Sequence, residues 1–507
     1  MEFKLSSRGA FVASFFLLCS VGLAGVERVI IDHAHVVAIA EKLSASPYQT
    51  ADRTAPKFFR EINYDTYRRI TFKPEQTLWR DSEARFQLQF FHPGYLFTQM
   101  VRLNEFTDTH SQPIPFSQNF FDYHELTVPL LSRWGLDFAG FRILHPVNQP
   151  DKWDELIAFL GGTYYRGLGR HHVYGVSARA LALNAGGPPQ EEFPAFIEFW
   201  IRKPDPAAVS LIVHALLDGP SVAGAYTFTL TPGEEFLIET RATLFFRRQI
   251  EMPGFAPLSS MFWFGEGSAN RYGDFRPEVH DSDGLLVAPD ATTRLWRPLL
   301  NSPGLAHTDF DVPAFAGFGL LQRDREFRNY EDMEAHYERR PGVWTEPVGP
   351  WPPGRVRLVE MPADNEYHDN VTAYWSPREP IAPGRPFELA WKQRWTSAAT
   401  FGGPAGWVSA TRQTVQDGAP DHTRFIIDFD AASLANVPPD APISADVTIT
   451  DGATVTQSQL FRNEASGARR LVLRLQAPVG HAAVEARARL MLGREPLTET
   501  WVTRWQP

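Results

Sequence analysis

Apolar residues recur along most of the chain in short runs with the two-residue period of half-buried β-strands. Residues 85–91 alternate in this way, and four more runs are separated by Pro and Gly, at 193–201, 210–216, 225–230 and 236–246. Shorter runs continue the pattern at 294–298, 315–322, 355–361 and 371–375. Consecutive antiparallel strands of this kind predict a large β-sandwich.

Three segments depart from the strand pattern. Residues 29–43 place apolar side chains at helical spacing and predict an early helix. Residues 151–169, DKWDELIAFLGGTYYRGLG, also predict a helix. The charged and aromatic run 323–344 predicts a loop or short helix over one end of a sheet, or a solvated lid with salt bridges.

A proline-rich segment divides the pattern. Residues 376–386 contain four prolines in eleven residues, which predicts a stiff linker and a domain boundary. The large domain is expected over 25–380 and a second domain over 387–507. The second domain has runs at 387–395, 424–429, 443–449, 469–475, 483–492 and 498–505, and about six short strands are typical of an immunoglobulin-like sandwich. The predicted fold class is all-β.

Composition and charge narrow the function. Aromatic residues make up 13% of the chain, with 14 Trp, 41 Pro and 36 Gly, which suits a β-protein with many turns. The net charge of −10 and the lack of a dense Lys/Arg run argue against a nucleic-acid partner. A neutral ligand is more compatible with this net charge than a nucleic acid is.

The N-terminal residues predict export. Lys4 and Arg8 precede an apolar segment at 10–23, as in a signal peptide over residues 1–24. No later stretch approaches the ~20 apolar residues that a membrane span requires, so no membrane insertion is expected after signal removal. The single cysteine, Cys19, falls in this signal, so the mature chain is expected to have no disulfide and no cysteine-based zinc site. We expect no metal and no cofactor.

Two inserts carry the candidate chemistry. The first, in residues 261–286, delivers Arg276, His280 and Asp281 between two apolar strands, although Asp and Gly at 281–284 also suit a plain hairpin turn. The second, residues 363–370, contains Glu366 and Asp369, and a plain Asx-rich turn is again possible.

Several of these segments resemble one known family. FRPEVHDSDGL (275–285), GFGLLQRDREFRNYED (317–332), VRLVEMP (356–362) and DNVTAYW (369–375) resemble the periplasmic glucan biosynthesis proteins G and D of Gram-negative bacteria. The resemblance covers nearly the whole mature chain. It departs at residues 265–275, GEGSANRYGDF, a loop that varies between the G and D types, so the type stays open.

The resemblance implies a galactose-mutarotase-like sandwich joined to an immunoglobulin-like domain, in the periplasm. It also implies a β-1,2-glucan substrate and an inverting β-1,2-glucanase. Carried over by position, the general acid is Asp369 and the base is Asp281, with Glu366 and Tyr337 in the same cleft. Inverting glycosidases hold two carboxyl groups apart so that a water fits between them, and both inserts follow predicted strands.

Other residues are candidates for binding the sugar. Arg276 and His280 are expected to orient Asp281, and Arg166 and Tyr174 are candidates for a surface that faces the sugar. For stacking on sugar rings, the candidates are Trp263, Trp344, Trp351 and Trp375, each of which could instead be a core residue. The alternative to the hydrolase is a non-catalytic glucan-binding factor that guides chains from an inner-membrane glucan synthase.

Overall fold

The computed structural model describes residues 30–49, 53–187, 190–268, 272–416, 419–438, 440–450, 452–478, 480 and 483–505. The predicted signal peptide, residues 1–24, lies outside the described residues. In the part of the chain that is described, no helix combines the length and the apolar character needed to cross a membrane.

Within the described residues the chain is almost entirely β-structure, which confirms the predicted all-β fold class. The helices are α1 (His33–Ser44), α2 (Lys57–Arg60) and α3 (Tyr64–Tyr67), with 3₁₀ turns at Pro74–Gln76, Gln118–Phe120, Leu130–Arg133, Phe327–Asn329 and Tyr337–Arg339. The first strands are β1 (Thr71–Phe72), β2 (Gln87–Phe91), β3 (Arg102–Phe106), β4 (Ser111–Pro113), β5 (Phe121–Asp122), β6 (Gly140–Gln149), β7 (Lys152–Leu160), β8 (Tyr164–Gly167), β9 (Ser177–Arg179), β10 (Leu181–Leu183), β11 (Ala195–Arg202), β12 (Leu211–Asp218), β13 (Val222–Thr231) and β14 (Phe236–Phe246).

The strands continue with β15 (Pro253–Ser260), β16 (Phe262–Phe264), β17 (Val279–His280), β18 (Gly284–Ala288), β19 (Leu295–Pro298), β20 (Ala306–Val312), β21 (Gly317–Leu321), β22 (Gly342–Pro347), β23 (Gly354–Glu360), β24 (Val371–Pro377) and β25 (Phe387–Thr396). The last strands are β26 (Val408–Gln416), β27 (Ala419–Phe429), β28 (Ile443–Ile449), β29 (Thr454–Arg462), β30 (Arg469–Gln476), β31 (Val484–Leu492), β32 (Glu495–Pro496) and β33 (Thr500–Trp505).

Two large sheets form the main sandwich. One has the order β2-β6-β7-β8-β9-β15-β24-β23-β20, and β10 also pairs with β15. The other runs from the C-terminal strands through β19-β18-β21-β22-β25-β14-β13-β12-β11-β3-β4. Alternate side chains of both sheets meet in one buried core, which includes Phe141, Phe159, Phe228, Trp375 and Trp391. Burial of this apolar surface is the main force that holds the sheets together.

The early helix is confirmed as α1. Its N-cap is Asp32, whose side chain accepts a hydrogen bond from the backbone N–H of His35 at 2.8 Å. Val36 and Ala40 lie on its buried face, which packs with Trp200 and Leu216 on the outer side of the second sheet. The helical period of 29–43 therefore reflected a real amphipathic face.

The helix predicted at 151–169 is wrong. These residues form β7 and β8, and β7 pairs with β6 on one side and β8 on the other. The turn between them passes through Gly161 and Gly162 with φ of 83° and 59°, a left-handed conformation that favours glycine. Aromatic and β-branched side chains, together with pairing on both edges, outweighed the helical spacing.

The C-terminal strands predicted at 424–429, 443–449, 469–475, 483–492 and 498–505 are all confirmed as strands. β26-β27-β30-β29 form a separate four-stranded sheet, and β28-β31-β33 continue the large sheet through a parallel pair between β33 and β19. The predicted strand at 387–395 is also present as β25, but it lies between β14 and β22 and so extends the large sheet. The division into domains at 380 and 387 stays a prediction.

Candidate functional site

The two predicted inserts lie beside each other. In the first, β16 and β17 form a small two-stranded sheet that pairs Phe262 with His280. In the second, the Asn370 side chain accepts from the Phe262 N–H at 2.8 Å and donates to the Phe262 carbonyl at 3.0 Å. The Asn370 amide also donates to the Met361 carbonyl at 3.0 Å. One amide therefore joins the two inserts through residues that are 108 positions apart in sequence.

Asp281 follows β17 and is buried, with 4% of its surface exposed. Its carboxylate accepts a charge-assisted hydrogen bond from the guanidinium of Arg340. Burial raises the pKa of Asp281 above its ordinary value, which the positive charge of Arg340 opposes. The negative charge of Asp369 raises it further, so the two predicted carboxylates share one electrostatic environment.

Arg340 connects Asp281 to Glu366. The Arg340 guanidinium lies 4.2 Å from the ring centroid of Tyr337, close enough for a cation–π contact. The Tyr337 hydroxyl in turn donates to Glu366 Oε2 at 2.5 Å. Arg276 approaches the same oxygen at 2.7 Å, so Glu366 is held from two sides. Four of the predicted site residues thus form one network that Arg340 completes.

Arg276 is a hub for carboxylates. It donates to both oxygens of Asp274, at 3.0 and 2.7 Å, and to Asp332 at 2.7 Å as well as to Glu366. Hydrogen bonds to Asp274, followed by those to Glu366 and Asp332, raise the pKa of Arg276 above its usual range. Arg276 itself is 9% exposed, and it fixes the loop that carries Asp281 without touching the Asp281 carboxylate in any described hydrogen bond.

Asp369 is the most accessible of the predicted carboxylates. Its side chain is 32% exposed and lies 3.7 Å from a terminal nitrogen of Arg166 on β8. The Ser177 hydroxyl on β9 donates to the same oxygen at 3.5 Å. The charge of Asp369 is therefore presented to solvent beside a cation rather than buried.

A cavity of about 610 Å³ extends from Arg166 over the outer face of β7 and β8. We call it the aromatic groove, and its aromatic and apolar walls are Phe91, Leu96, Phe97, Tyr164, Tyr165, Tyr174 and Phe193. Leu96 and Phe193 are 73% and 61% exposed, so both present apolar surface to solvent at this cavity. The hydroxyl of Tyr174 donates to Glu155, which Arg142 also contacts at 2.9 Å. The groove thus combines exposed rings with fixed polar groups, as ligand pockets do.

His280 lies in a buried ionic cluster next to this network and is 1% exposed. Its Nε2 is 2.8 Å from Glu278 Oε2, and its Nδ1 is 3.0 Å from Gln322 Oε1. Gln322 donates its own amide to the carbonyls of His280 and Tyr337, so its oxygen faces Nδ1 as an acceptor. Both ring nitrogens therefore carry protons.

Ligand atoms of Glu278, His280 and Asp283 lie within 4.8 Å of one another, which is a spacing that can hold a metal ion. With both ring nitrogens protonated, the cluster is an imidazolium among carboxylates. Burial lowers the pKa of His280, but the hydrogen bond to Glu278 and the charges of Asp283, Glu278 and Glu266 more than offset this and raise it to about 9. His280 is thus a buried neighbour of Asp281 and not a sugar contact.

The predicted stacking tryptophans divide into core and cavity residues. Trp344 and Trp375 are 2% and 0% exposed, and Trp344 stacks on Phe401 at 4.7 Å, so neither offers a face to a sugar. Trp351 packs against Trp375 at 4.7 Å and belongs to the same core. Trp263 is half-buried and lines a different cavity from the aromatic groove. The structure corrects the prediction for Trp344 and Trp375, because sheet packing covers both rings.

Arg340 and Asn370 were not singled out from the sequence. Arg340 belongs to the charged run 323–344, where its basic neighbour Arg339 gives the same local pattern. Asn370 stands next to Asp369 in an Asx-rich segment and gave no separate indication of its role. Their specific partners become visible only in the folded structure, where segments that are distant in sequence lie close together.

Comparison with known proteins gives one consistent result. The family model described as "Periplasmic glucan biosynthesis protein, MdoG" matches residues 31–505. The chain is 40% identical to the "Glucans biosynthesis protein G" of Ralstonia nicotianae over 474 residues, which is 92% of this chain and 94% of the relative. It is 38% identical to the protein of the same name from Pseudomonas putida, over 90% of this chain and 83% of the relative. The Shewanella baltica protein of that name is 38% identical over 94% of this chain and 87% of the relative.

These names correct one prediction. The family model and the relatives are named for the biosynthesis of glucans, and none of those names describes a glucanase. The β-1,2-glucanase expected from the sequence is therefore wrong as an assignment, and a role in glucan biosynthesis replaces it.

Proposed function

The chain belongs to the family of periplasmic glucan biosynthesis proteins, and from this membership we propose that it is a periplasmic factor that binds a β-1,2-linked glucan chain during glucan biosynthesis. In this role the protein holds the chain and does not cleave it. The family name gives the process, the aromatic groove supports a neutral sugar as the ligand, and the β-1,2 linkage is what the family resemblance implies.

The observation that carries the proposal is the aromatic groove itself. Neutral sugar rings present C–H faces that pack on aromatic rings and hydroxyls that require hydrogen-bond partners. Phe193 and Tyr164 supply rings, and the Arg179 guanidinium lies 5.4 Å from the Tyr164 centroid and 6.0 Å from that of Phe193. Arg179 is 3% exposed and is fixed by Glu191 at 2.7 Å, so the two rings rest on a rigid support. A preformed surface of this kind loses little conformational entropy when a chain binds.

The polar end of the groove supports the same role. Arg166 and Asp369 lie 3.7 Å apart and both side chains are partly exposed, so together they offer donors and acceptors to hydroxyl groups. Asp281 is buried behind them and already paired with Arg340, and we propose that it positions the network rather than contacts the glucan. Glu366 and Tyr337 have the same positioning role.

The proposal includes a partner at the inner membrane. A factor that binds nascent glucan must receive it from a membrane-bound synthase, and the export signal predicted for residues 1–24 supports a location on the periplasmic side. Delivery from that synthase is part of the proposal.

Titration of linear β-1,2-glucan into the purified protein tests the proposal. Wild type is expected to bind with measurable heat, and Phe193→Ala is expected to weaken binding about tenfold because one stacking contact is worth on the order of 1 kcal/mol. Phe461→Ala is the matched control, since Phe461 is also an exposed phenylalanine, at 49%, but lies on β29 far from the groove.

Two results would contradict the proposal. If wild type does not bind glucan, the proposed role is wrong. If the two alanine variants bind glucan with equal affinity, the aromatic groove is not the binding site. Release of shorter sugars from the glucan by wild type would show turnover and would also overturn a purely holding role.

A further inference from the structure

A second cavity, of about 420 Å³, is lined in part by residues of the first insert. We call it the rear cavity. Its lining comes from β16 and the loop that follows, from the segment 297–306, and from the last strand, and it includes Trp263, Tyr272, Arg297, Asn301, Glu360 and Arg504. It has no lining residue in common with the aromatic groove. Its volume is within the roughly 300–1,000 Å³ of small-molecule sites.

One wall of the rear cavity is an aromatic platform. The rings of Trp263 and Tyr272 stack with centroids 5.2 Å apart and an interplanar angle of 18°. Tyr272 is nevertheless 46% exposed, so its exposed area belongs to the face and edge that Trp263 does not cover. Asn301 fixes the platform by donating to the Trp263 carbonyl and the Tyr272 hydroxyl, each at 3.1 Å. A fixed, half-exposed ring is a suitable surface for the face of a sugar.

The opposite wall supplies hydrogen-bond donors. Arg504 is exposed on β33 and faces the rear cavity, where its charge acts on Glu360. Arg297 is 1% exposed and binds Glu360 at 3.0 Å, but its Nε has no hydrogen-bond partner among the described residues. The indole N–H of Trp263 also has no such partner. Guanidinium groups only donate hydrogen bonds, so the exposed Arg504 favours a ligand with acceptor oxygens.

Charge further restricts the ligand. Two arginines and one glutamate line the rear cavity, which gives it a net positive charge and disfavours a cation. An aromatic platform facing donor groups suits a neutral ligand rich in hydroxyl and ring oxygens, which is the chemistry of an oligosaccharide.

The rear cavity is also connected to the groove. Asn301 donates to the Ala363 carbonyl at 2.7 Å and accepts from the Ala363 N–H at 2.9 Å. Ala363 is the first residue of the insert that carries Glu366 and Asp369. The same side chain therefore fixes the platform of the rear cavity and the start of the loop that forms the polar end of the groove.

We propose that the rear cavity is a second glucan-binding site, which holds a short neutral segment of a chain. This inference rests on the proposed function, because it takes the glucan as ligand. Two sites on one protein hold one long chain more tightly than either site alone, since the second contact becomes intramolecular.

The test compares short and long β-1,2-glucans by calorimetric titration of the full chain. With a short oligosaccharide, wild type is expected to show two sites, while Tyr272→Ala and Phe193→Ala are each expected to weaken a different one of them about tenfold and to leave the other unchanged. With a long glucan, Tyr272→Ala is expected to lower affinity about tenfold or more, as the advantage of two linked sites is lost. Arg504→Gln gives an independent variant at the opposite wall, and it is expected to weaken the same site.

Matched controls are available in the chain. Tyr64→Ala changes the first residue of α3, a tyrosine that is 57% exposed, and Arg487→Gln changes an exposed arginine on β31, the neighbour of β33. Both are expected to leave two sites. If wild type shows one site, and that site is weakened in Phe193→Ala but unchanged in Tyr272→Ala and Arg504→Gln, the rear cavity alone is overturned as a binding site. No binding by wild type overturns the proposed function together with this inference.

Discussion

Arg323 places two guanidinium nitrogens on the carboxylate of Glu499, at 2.6 and 3.0 Å, across 176 residues of sequence. Both side chains are 1% exposed. The guanidinium also lies 3.4 Å from the ring centroid of Trp296, and Glu499 accepts from the Val408 N–H at 2.8 Å. This buried ion pair joins the end of β21 to the segment before β33, where the large sheet passes into the C-terminal strands.

Arg323→Ala is expected to lower the free energy of unfolding by about 3–5 kcal/mol, because it leaves the Glu499 carboxylate buried without its partner. Chemical denaturation measures this. Arg378→Ala is the control, since Arg378 and Asp311 form an exposed pair at 3.3 Å whose loss is expected to cost no more than about 1 kcal/mol. Equal costs for the two variants would contradict the role given to the buried pair.

Stability is expected to fall as pH rises from neutral to alkaline. The pKa of His280 in the folded protein, about 9, is above the ordinary value of 6.5 expected in the unfolded chain, so the folded state keeps a proton that the unfolded state loses. The stabilisation is complete below pH 6.5 and is lost as pH rises through about 9. Unfolding free energies at pH 6 and pH 9.5 measure this loss, and His280→Gln is expected to show a smaller difference. An identical pH dependence in the variant would exclude His280 as its source.

Asn370→Ala is expected to lower the free energy of unfolding by about 1–3 kcal/mol, because it leaves the N–H and carbonyl of Phe262 without their partner. It is also expected to weaken glucan binding, since Asn370 holds the strand end next to Asp369. Thermal unfolding and titration measure the two effects. The control is Asn365→Ala, in the same insert, whose side chain forms hydrogen bonds within the described part of the chain only with its near neighbours Asp364 and Tyr367. If Asn370→Ala lowers the free energy of unfolding and the glucan affinity no more than Asn365→Ala does, other contacts hold the two inserts together.

Asp369→Asn is expected to weaken glucan binding by about tenfold or more, since hydrogen bonds to a charged group contribute roughly 1.5–3 kcal/mol. Asp364→Asn removes an exposed carboxylate from the same insert and is expected to leave the affinity unchanged. Calorimetric titration with β-1,2-glucan separates them. If both variants bind as wild type does, the carboxylate of Asp369 does not contact the ligand.

Much of the fold was predictable because strand period and turn residues are local. The alternation at 236–246 corresponds to β14, and the helical spacing at 29–43 corresponds to α1. The segment 151–169 failed because its apolar spacing suits both a helix and a strand, and pairing with β6 decided between them. The strand at 387–395 was found, but its position between β14 and β22 depends on partners far away in sequence.

The candidate site shows the same limit. The sequence supplied Asp281, Glu366 and Asp369 as acidic groups in two inserts, and the family resemblance named the process. The sequence could not show which tryptophans are accessible to a sugar, because Trp263 and Trp344 follow similar apolar neighbours. Packing covers Trp344 and leaves Trp263 beside a cavity. The sequence also gave no reason to pair Arg340 with Asp281.

By itself the sequence determined the β class, most strand positions and the chemical groups of the two inserts, because these depend on residue types and on contacts between neighbours in the chain. The tertiary structure alone decided which charges are paired, which rings are exposed and that two cavities have no lining residue in common. Those properties depend on distances between segments that are far apart in sequence, and the pattern along a chain does not contain them.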